Sequence, residues 1–552
     1  MNRITLLCLL LFTFANARAQ EKVYNKFWVQ LADKNNNGYA LGQPESFLSQ
    51  KAIERREHYN IPIEFTDLPL TPTYVQVIAN TGATILLKSK WLNAVAIQTL
   101  DTSILKQIRE MPFVLGIEPV AATTIQSMEG QSMMHQSQAI VKLDDNDVFY
   151  GASFPQIDQV NGQYLHQLGY WGEGMQIAVM DAGFERADSI SAFDDLRENG
   201  RILGTYDFVE GRENVYLVGG HGRNVFSIIA AKLPGEYIGS APNASYYLFR
   251  TEEGGSEYRI EEANWIAAAE LADSFGVDMI TSSLGYSTFN DSTMNYGYAD
   301  MDGQTTKITR AADLAARKGI LVVNSAGNEG NSDWRYLTAP SDGDSVLCVG
   351  AVDINRRKAG FSSFGPSASG RVKPNIAGFG LNTAYIDVNG NVAYGSGTSY
   401  STPLLAGLTA CLWQSIRDKS NMEIIDALQQ TASQAEHPND SLGYGIPNFQ
   451  YAFMKLMADN LLYEIADMPK VYPNPFSSEL HLLLYNASPG TASISVGIFD
   501  GKGALMTSDE KEVNGEGFGA FHFTGLDNLL PGIYYLRVNN NDRSFGIRAI
   551  KL

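Results

Sequence analysis

Hydrophobic and polar positions divide the chain into blocks of different period. Between residues 150 and 458, short unbroken apolar runs alternate with stretches of helical spacing. Gln176-Ile177-Ala178-Val179-Met180 and Tyr246 to Phe249 read as strands covered on both faces, since a half-exposed strand would alternate. Ile260 to Phe275 has helical spacing, with Ala263, Ile266, Ala267, Glu270 and Leu271 marking the faces of an amphipathic helix. A strand at Val277 to Thr281, a helix at Lys307 to Lys318, and strands at Ile320 to Asn324 and Val346 to Val349 follow. Strands alternating with helices predict an α/β fold, a parallel sheet with helices on both faces.

The flanks differ. Residues 20–140 mix predicted strands, Tyr74-Val75-Gln76-Val77-Ile78 and Leu92 to Ile97, with a helix from Thr102 to Met111, as in a small α+β domain. A polar stretch from Gln126 to Gln138 reads as an exposed linker. Residues 468–552 are strand-rich: Leu480 to Leu484, Ser493 to Phe499 and Ile533 to Val538, broken by Asp500-Gly501, Gly515 to Gly519 and Pro531-Gly532. That is the pattern of a small β-sandwich. Residues 1–19 read as a signal peptide, with Arg3, an apolar run from Leu6 to Phe14, and Ala17-Arg18-Ala19 as the cleavage site. The run is too short to span a bilayer, so export without a membrane anchor is expected.

Length and charge narrow the picture. A chain of 552 residues exceeds one ordinary core. A formal charge of −19 with no basic stripe argues against a nucleic-acid partner. Cys8 leaves with the signal peptide. Cys348 and Cys411 each sit in an apolar run and read as small buried hydrophobes rather than a disulfide or metal site. Asp33-Lys34-Asn35-Asn36-Asn37-Gly38 imitates the start of a calcium loop, but Pro44 stands where the bidentate Glu belongs, so a polar turn is expected.

Open parallel sheets place their sites beyond the carboxyl ends of the strands. There, Asp181 closes the first strand, Ser283-Leu284-Gly285 another, and Ser325-Ala326-Gly327-Asn328 a third. His221 is unlike the other histidines: it lies among Gly219, Gly220 and Gly222, just before the apolar helix from Val225. Gly395 to Pro403 runs into an apolar helix from Leu404 to Trp413. This places Ser399 near a helix N-terminus, which favours developing negative charge. Pro403 is expected within the first turn, where proline is tolerated.

Gly397-Thr398-Ser399-Tyr400-Ser401-Thr402-Pro403 resembles the serine signature of the subtilisin-like proteases. Val179-Met180-Asp181-Ala182-Gly183 is similar to the family's aspartate motif, and Gly220-His221-Gly222 with Val225 and Ala230-Ala231 to its histidine motif. The chain order Asp, His, Ser is the subtilisin one. The resemblance implies a subtilisin-like fold and a serine endopeptidase with Asp181, His221 and Ser399 as triad and Asn328 as oxyanion donor. It also implies that Ser283, Leu284 and Gly285 with Ser325, Ala326 and Gly327 line the primary specificity cleft and pair with substrate backbone. Arg223-Asn224, Phe226, Tyr400 and Ser401 depart from the usual residues and bear on the shape of that cleft.

Residues 20–140 occupy the place of a propeptide, implying a zymogen inhibited by its own N-terminal domain; an unrelated accessory domain is the alternative. Val471-Tyr472-Pro473-Asn474-Pro475, Phe499-Asp500-Gly501 and Gly532-Ile533-Tyr534-Tyr535 resemble the type A sorting domain of type IX secretion, against a carbohydrate-binding sandwich. Expected partners are protein substrates, the propeptide and the secretion machinery, and the expected location is outside the cell or on its outer surface. No organic cofactor is required and no metal ligand set is assigned; a structural calcium, common in the family, stays open. A pseudoprotease acting as a binding protein and an esterase-like hydrolase are the competing functions. Labelling of the serine separates the first, and ester turnover without peptide turnover the second.

Overall fold

A computed structural model describes residues 23–123, 149–461, 469–472, 474–486, 492–513, 517–540 and 543–552. The signal-peptide and linker assignments lie outside these residues.

The N-terminal domain runs β1 (Val23–Leu31), α1 (Gln50–His58), α2 (Pro72–Ala79), β2 (Thr84–Ser89), β3 (Ala94–Gln98), α3 (Thr102–Arg109) and β4 (Val114–Thr123). Its antiparallel sheet has the order β2-β3-β1-β4. Alternation along β1 sends Phe27, Val29 and Leu31 into the domain's own core and Trp28 towards the next domain. Tyr74 to Ile78, expected as a strand, is helical. Pro72 occupies the first turn, where its missing N–H costs nothing, and Ile78 is buried in the core that α2 shares with the sheet. The β-branched residues there expressed local preference, which packing overrode.

The central domain contains β5 (Gln176–Asp181), β6 (Ile202–Asp207), α4 (Gly220–Ala230), β7 (Ser245–Arg250), α5 (Ile260–Phe275), β8 (Met279–Ser282), α6 (Lys307–Arg317), β9 (Leu321–Ser325), β10 (Val346–Val352), β11 (Ile376–Phe379) and α7 (Thr398–Gln414). Seven strands pair in parallel in the order β11-β10-β9-β8-β5-β7-β6. Ile177 and Val179 face a core shared with α4 and α7, whereas Ala178 and Met180 face one shared with α5 and α6.

Helix α5 differs from its expected amphipathic form. Glu261, Glu262, Glu270 and Asp273 are buried on it, because the N-terminal sheet lies over its outer face. Trp28, Ala94 and Ala96 join the same apolar core as Ile266 and Ala312. Cys348 and Cys411 are free and buried.

The C-terminal domain has β12 (Lys470–Tyr472), β13 (Leu480–Asn486), β14 (Ala492–Phe499), β15 (Leu505–Val513), β16 (Gly517–Phe523), β17 (Gly532–Asn540) and β18 (Arg543–Lys551). Two sheets, β12-β13-β16 and β15-β14-β17-β18, enclose one core that includes Phe476, Leu482, Ile494 and Leu536. Gly517 to Gly519, expected in a break, belong to β16.

Candidate active site

Asp181 ends β5, next to the point where the strand sequence turns back to β7, which is where open parallel sheets form a crevice. Its side chain is fully buried. Oδ1 accepts from the Ala182 N–H at 2.7 Å and lies 2.8 Å from His221 Nδ1. Two glycines permit that approach. Gly219 adopts φ +88° as the cap of α4, and a Cβ there would meet the Ala182 carbonyl at 2.3 Å. A Cβ on Gly222 would meet the Gly183 carbonyl at 2.2 Å and the Asp181 Cβ at 2.9 Å. The helix includes His221 in its first turn, rather than starting after it, so the ring is carried by regular backbone.

Burial by itself lowers the His221 pKa. The charge of Asp181 and its hydrogen bond outweigh that and raise the pKa above the usual 6.5. The side chain keeps 32% of its surface open, so solvent screens part of this field and substrate has access.

Ser399 is the second residue of α7, which begins six residues earlier than its apolar run suggested. Pro403 therefore lies in the second turn, where proline removes a helical hydrogen bond. The carbonyl that loses its donor is that of Ser399, and Ser283 Oγ supplies a replacement at 3.0 Å. Asn328 Oδ1 accepts from the Thr398 N–H at 2.9 Å and from Thr398 Oγ1 at 3.0 Å. With its oxygen so occupied, the amide turns its Nδ2 donor towards the loop that leads into Ser399. Ser399 Oγ and Asn328 Nδ2 lie 2.8 and 3.7 Å from the point a Cβ on Gly397 would occupy. Tyr400 brings α7 to α4: its ring stands edge-on to His221, with centroids 6.5 Å apart, and stacks on Tyr385.

The two expected cleft segments meet beside this group. Gly285 and Asn328 are exposed and Leu284 and Gly327 half-buried, whereas Ser283, Ser325 and Ala326 are buried. The Ala326 N–H bonds the Val349 carbonyl at 2.9 Å, so that residue is held from inside.

Comparison with known proteins bears on this arrangement. Residues 172–445 match the model of the subtilase family. The thermostable alkaline protease of Halalkalibacterium halodurans is 30% identical over 337 residues, 61% of this chain and 76% of that protein. The chain belongs to the subtilase family.

Subtilisin E of Bacillus subtilis is 28% identical over 364 residues, 65% of this chain and 80% of its own. Serine protease AprX of the same species is 30% identical over 298 residues, 49% of this chain and 62% of its own. Residues 26–148 match the peptidase S8 propeptide domain of Bacteroidota, and 470–551 the secretion system C-terminal sorting domain. This subtilase is thus a serine endopeptidase made as a zymogen and secreted or displayed at the cell surface. Among the described residues no helix is long and apolar enough to cross a membrane.

The departures from common subtilase residues take interior positions. Phe226 stacks on Phe193 with centroids 4.8 Å apart, and Ser401 Oγ bonds the Thr398 carbonyl at 3.0 Å. Arg223 is buried between Glu185, at 3.2 Å, and the Asn224 side chain, at 2.9 Å. Tyr400 stands against the His221 ring, and burial pushes its phenol up to about 12.

Sequence reading missed a cluster beyond β7. Glu252, Glu257 and Glu261 bring carboxylate oxygens within 4.8 Å of one another. Burial raises all three pKa values, and repulsion from neighbouring carboxylates adds to it: Glu257 on Glu252, Glu262 on Glu257, and Glu252 and Glu257 on Glu261. Glu252 accepts from Tyr286 Oη and Thr251 Oγ1, and the Thr251 N–H bonds the Asp181 carbonyl at 3.0 Å. The repeated Glu at 252, 257 and 261, on either side of Gly254-Gly255, was the available signal.

The propeptide holds the underside as well. Glu270 accepts from Ser89 Oγ and the Lys90 N–H, both at 2.6 Å, and from the Trp91 N–H at 3.0 Å. Arg56 on α1 reaches Asp67 at 3.0 Å and Asp273 at 2.9 Å, and Lys318 reaches Asp67 at 2.6 Å, all buried. Burial opposes the Asp273 charge, but Arg56, Lys90 and Arg55 hold its pKa below 3.8.

Proposed function

We propose that Asp181, His221 and Ser399 are the catalytic triad of this endopeptidase, with Asn328 Nδ2 and the Ser399 N–H as its oxyanion donors. The reading is supported by a buried carboxylate 2.8 Å from an accessible imidazole, and by a serine at the start of a long helix, beside Asn328 Nδ2, whose neighbour Tyr400 stands against that imidazole.

Ser399 Oγ attacks the scissile carbonyl as His221 Nε2 takes its proton. The tetrahedral oxyanion accepts from Asn328 Nδ2 and from the Ser399 N–H, which at the helix start has no intrahelical acceptor. His221 then protonates the leaving amine as the C–N bond breaks, and water repeats the sequence on the acyl-enzyme. Asp181 holds the imidazole in the tautomer with Nδ1 protonated and stabilises its cation. The exposed edge at Leu284-Gly285 pairs with substrate backbone, with Ser325 to Gly327 as the opposite wall. The N-terminal domain acts as inhibitor in the zymogen, and the sorting domain addresses the secretion machinery.

Hydrolysis of an unfolded protein by the processed enzyme tests this. Asn328→Ala should lower kcat by about 10²–10³ with little change in KM. Unchanged kcat removes Asn328 from the oxyanion site.

A further inference from the structure

The sorting domain carries a side-chain group that proteolysis does not use. His481 on β13 sits directly opposite His522 on β16. Their imidazoles stack with centroids 4.1 Å apart and planes 8° from parallel. Glu479, two residues before His481, projects to the same face, because side chains alternate along an extended chain. Its carboxylate oxygens lie 3.1 Å from His522 Nε2 and 3.9 Å from His481 Nε2. One donor atom from each residue lies within 4.8 Å of the others.

We propose that Glu479, His481 and His522 bind a borderline divalent transition-metal ion, Zn²⁺ being the best match. Two imidazole nitrogens and one carboxylate are a characteristic donor set for such ions, whereas Ca²⁺ takes 6–8 oxygens. Cross-strand partners hold their Cβ atoms about 4.5–5.5 Å apart, a span that one ion bridges. The stacked rings point their lone pairs in nearly parallel directions, so binding requires them to fan towards the ion. His522, 46% exposed, has room to turn, while buried His481 is braced edge-on by Tyr164 at 6.5 Å. Three protein ligands leave a fourth tetrahedral position for water. A stacked pair held by one carboxylate hydrogen bond is the alternative, and it takes up no ion.

The test uses the full chain carrying Ser399→Ala, with intact mass confirming that the sorting domain is present. The protein is stripped with chelator, then titrated with ZnCl₂ by calorimetry and by nitrogen NMR of the histidine rings. Expected are saturable uptake that moves the Nε2 resonances of both His481 and His522, and a loss of affinity of more than about tenfold in His522→Ala and in Glu479→Gln. Both changes lie at accessible positions, and circular dichroism confirms the fold. Either no saturable uptake, or uptake unchanged in both variants, overturns the site.

Discussion

Ser283 Oγ donates to the main-chain carbonyl of Ser399 at 3.0 Å, the carbonyl that Pro403 leaves without its helical donor. A hydroxyl from the residue just past β8 thus stands in for a missing bond of α7 and ties the turn that carries Ser399 to the sheet. Ser283 was expected to line the cleft. Its side chain points at the backbone of Ser399, the proposed nucleophile.

Ser283→Ala should leave a buried carbonyl unpaired, at about 1–3 kcal/mol. The expected result is a lower Tm of the processed enzyme and a fall in kcat that exceeds any change in KM. Ser283→Thr, which keeps the donor, should recover most of both. Thermal unfolding and steady-state kinetics on the three proteins check this, and a kcat unchanged in the alanine variant contradicts it.

As the proposed general base, His221, its pKa raised by Asp181 against the effect of burial, should set the acid limb of the rate profile. The imidazole must be neutral to act as base, so kcat/KM should climb with pH through a value above 6.5. Asp181→Asn removes the cause of the shift. Its limb should move to lower pH while kcat drops by about 10⁴. An unmoved limb would show that another group titrates.

Arg56 lies between Asp67 and Asp273, all three buried. Arg56→Ala removes the cation that the two carboxylates share, while Lys318 still reaches Asp67 and Arg55 still reaches Asp273. The loss should be about 1.5–3 kcal/mol, that of buried hydrogen bonds to charged groups. The zymogen's Tm should fall, whereas the processed enzyme, having lost α1, should be indifferent to the change. Calorimetry of the two forms decides, and an equal Tm for variant and parent zymogen refutes it.

Glu252 makes stability depend on pH in the alkaline direction. Burial raises its pKa from 4.5 to about 8, so its proton is held more tightly in the folded state. This contribution is complete below 4.5 and is lost as pH rises towards about 8. Glu252→Gln should flatten the decline of Tm across that window. The same slope in the variant would remove Glu252 as its source.

Much of this architecture was legible in the chain, for definable reasons. Buried parallel strands such as Gln176–Asp181 are continuous apolar runs, and their polar ends, Asp181 and Ser283, announce the site edge. Glycine punctuation marked His221 and Ser399 because close backbone approach tolerates little else. Packing between domains was not legible. The outer face of α5 looked solvated, since its polar residues belong to an interface with a distant segment. Tyr74 to Ile78 looked extended because β-branching dominates a short window, while Pro72 and the core over α2 fixed a helix. The partner of the Ser399 carbonyl comes from 116 residues away, beyond any local pattern.

The most direct test is fluorophosphonate labelling of the processed, propeptide-free enzyme, with the modified peptide mapped by mass spectrometry and Ser399→Ala alongside. The account predicts one adduct, on Ser399, that is absent from the variant. A folded, propeptide-free enzyme that takes no label, or takes it at another serine, would contradict the assignment of the nucleophile.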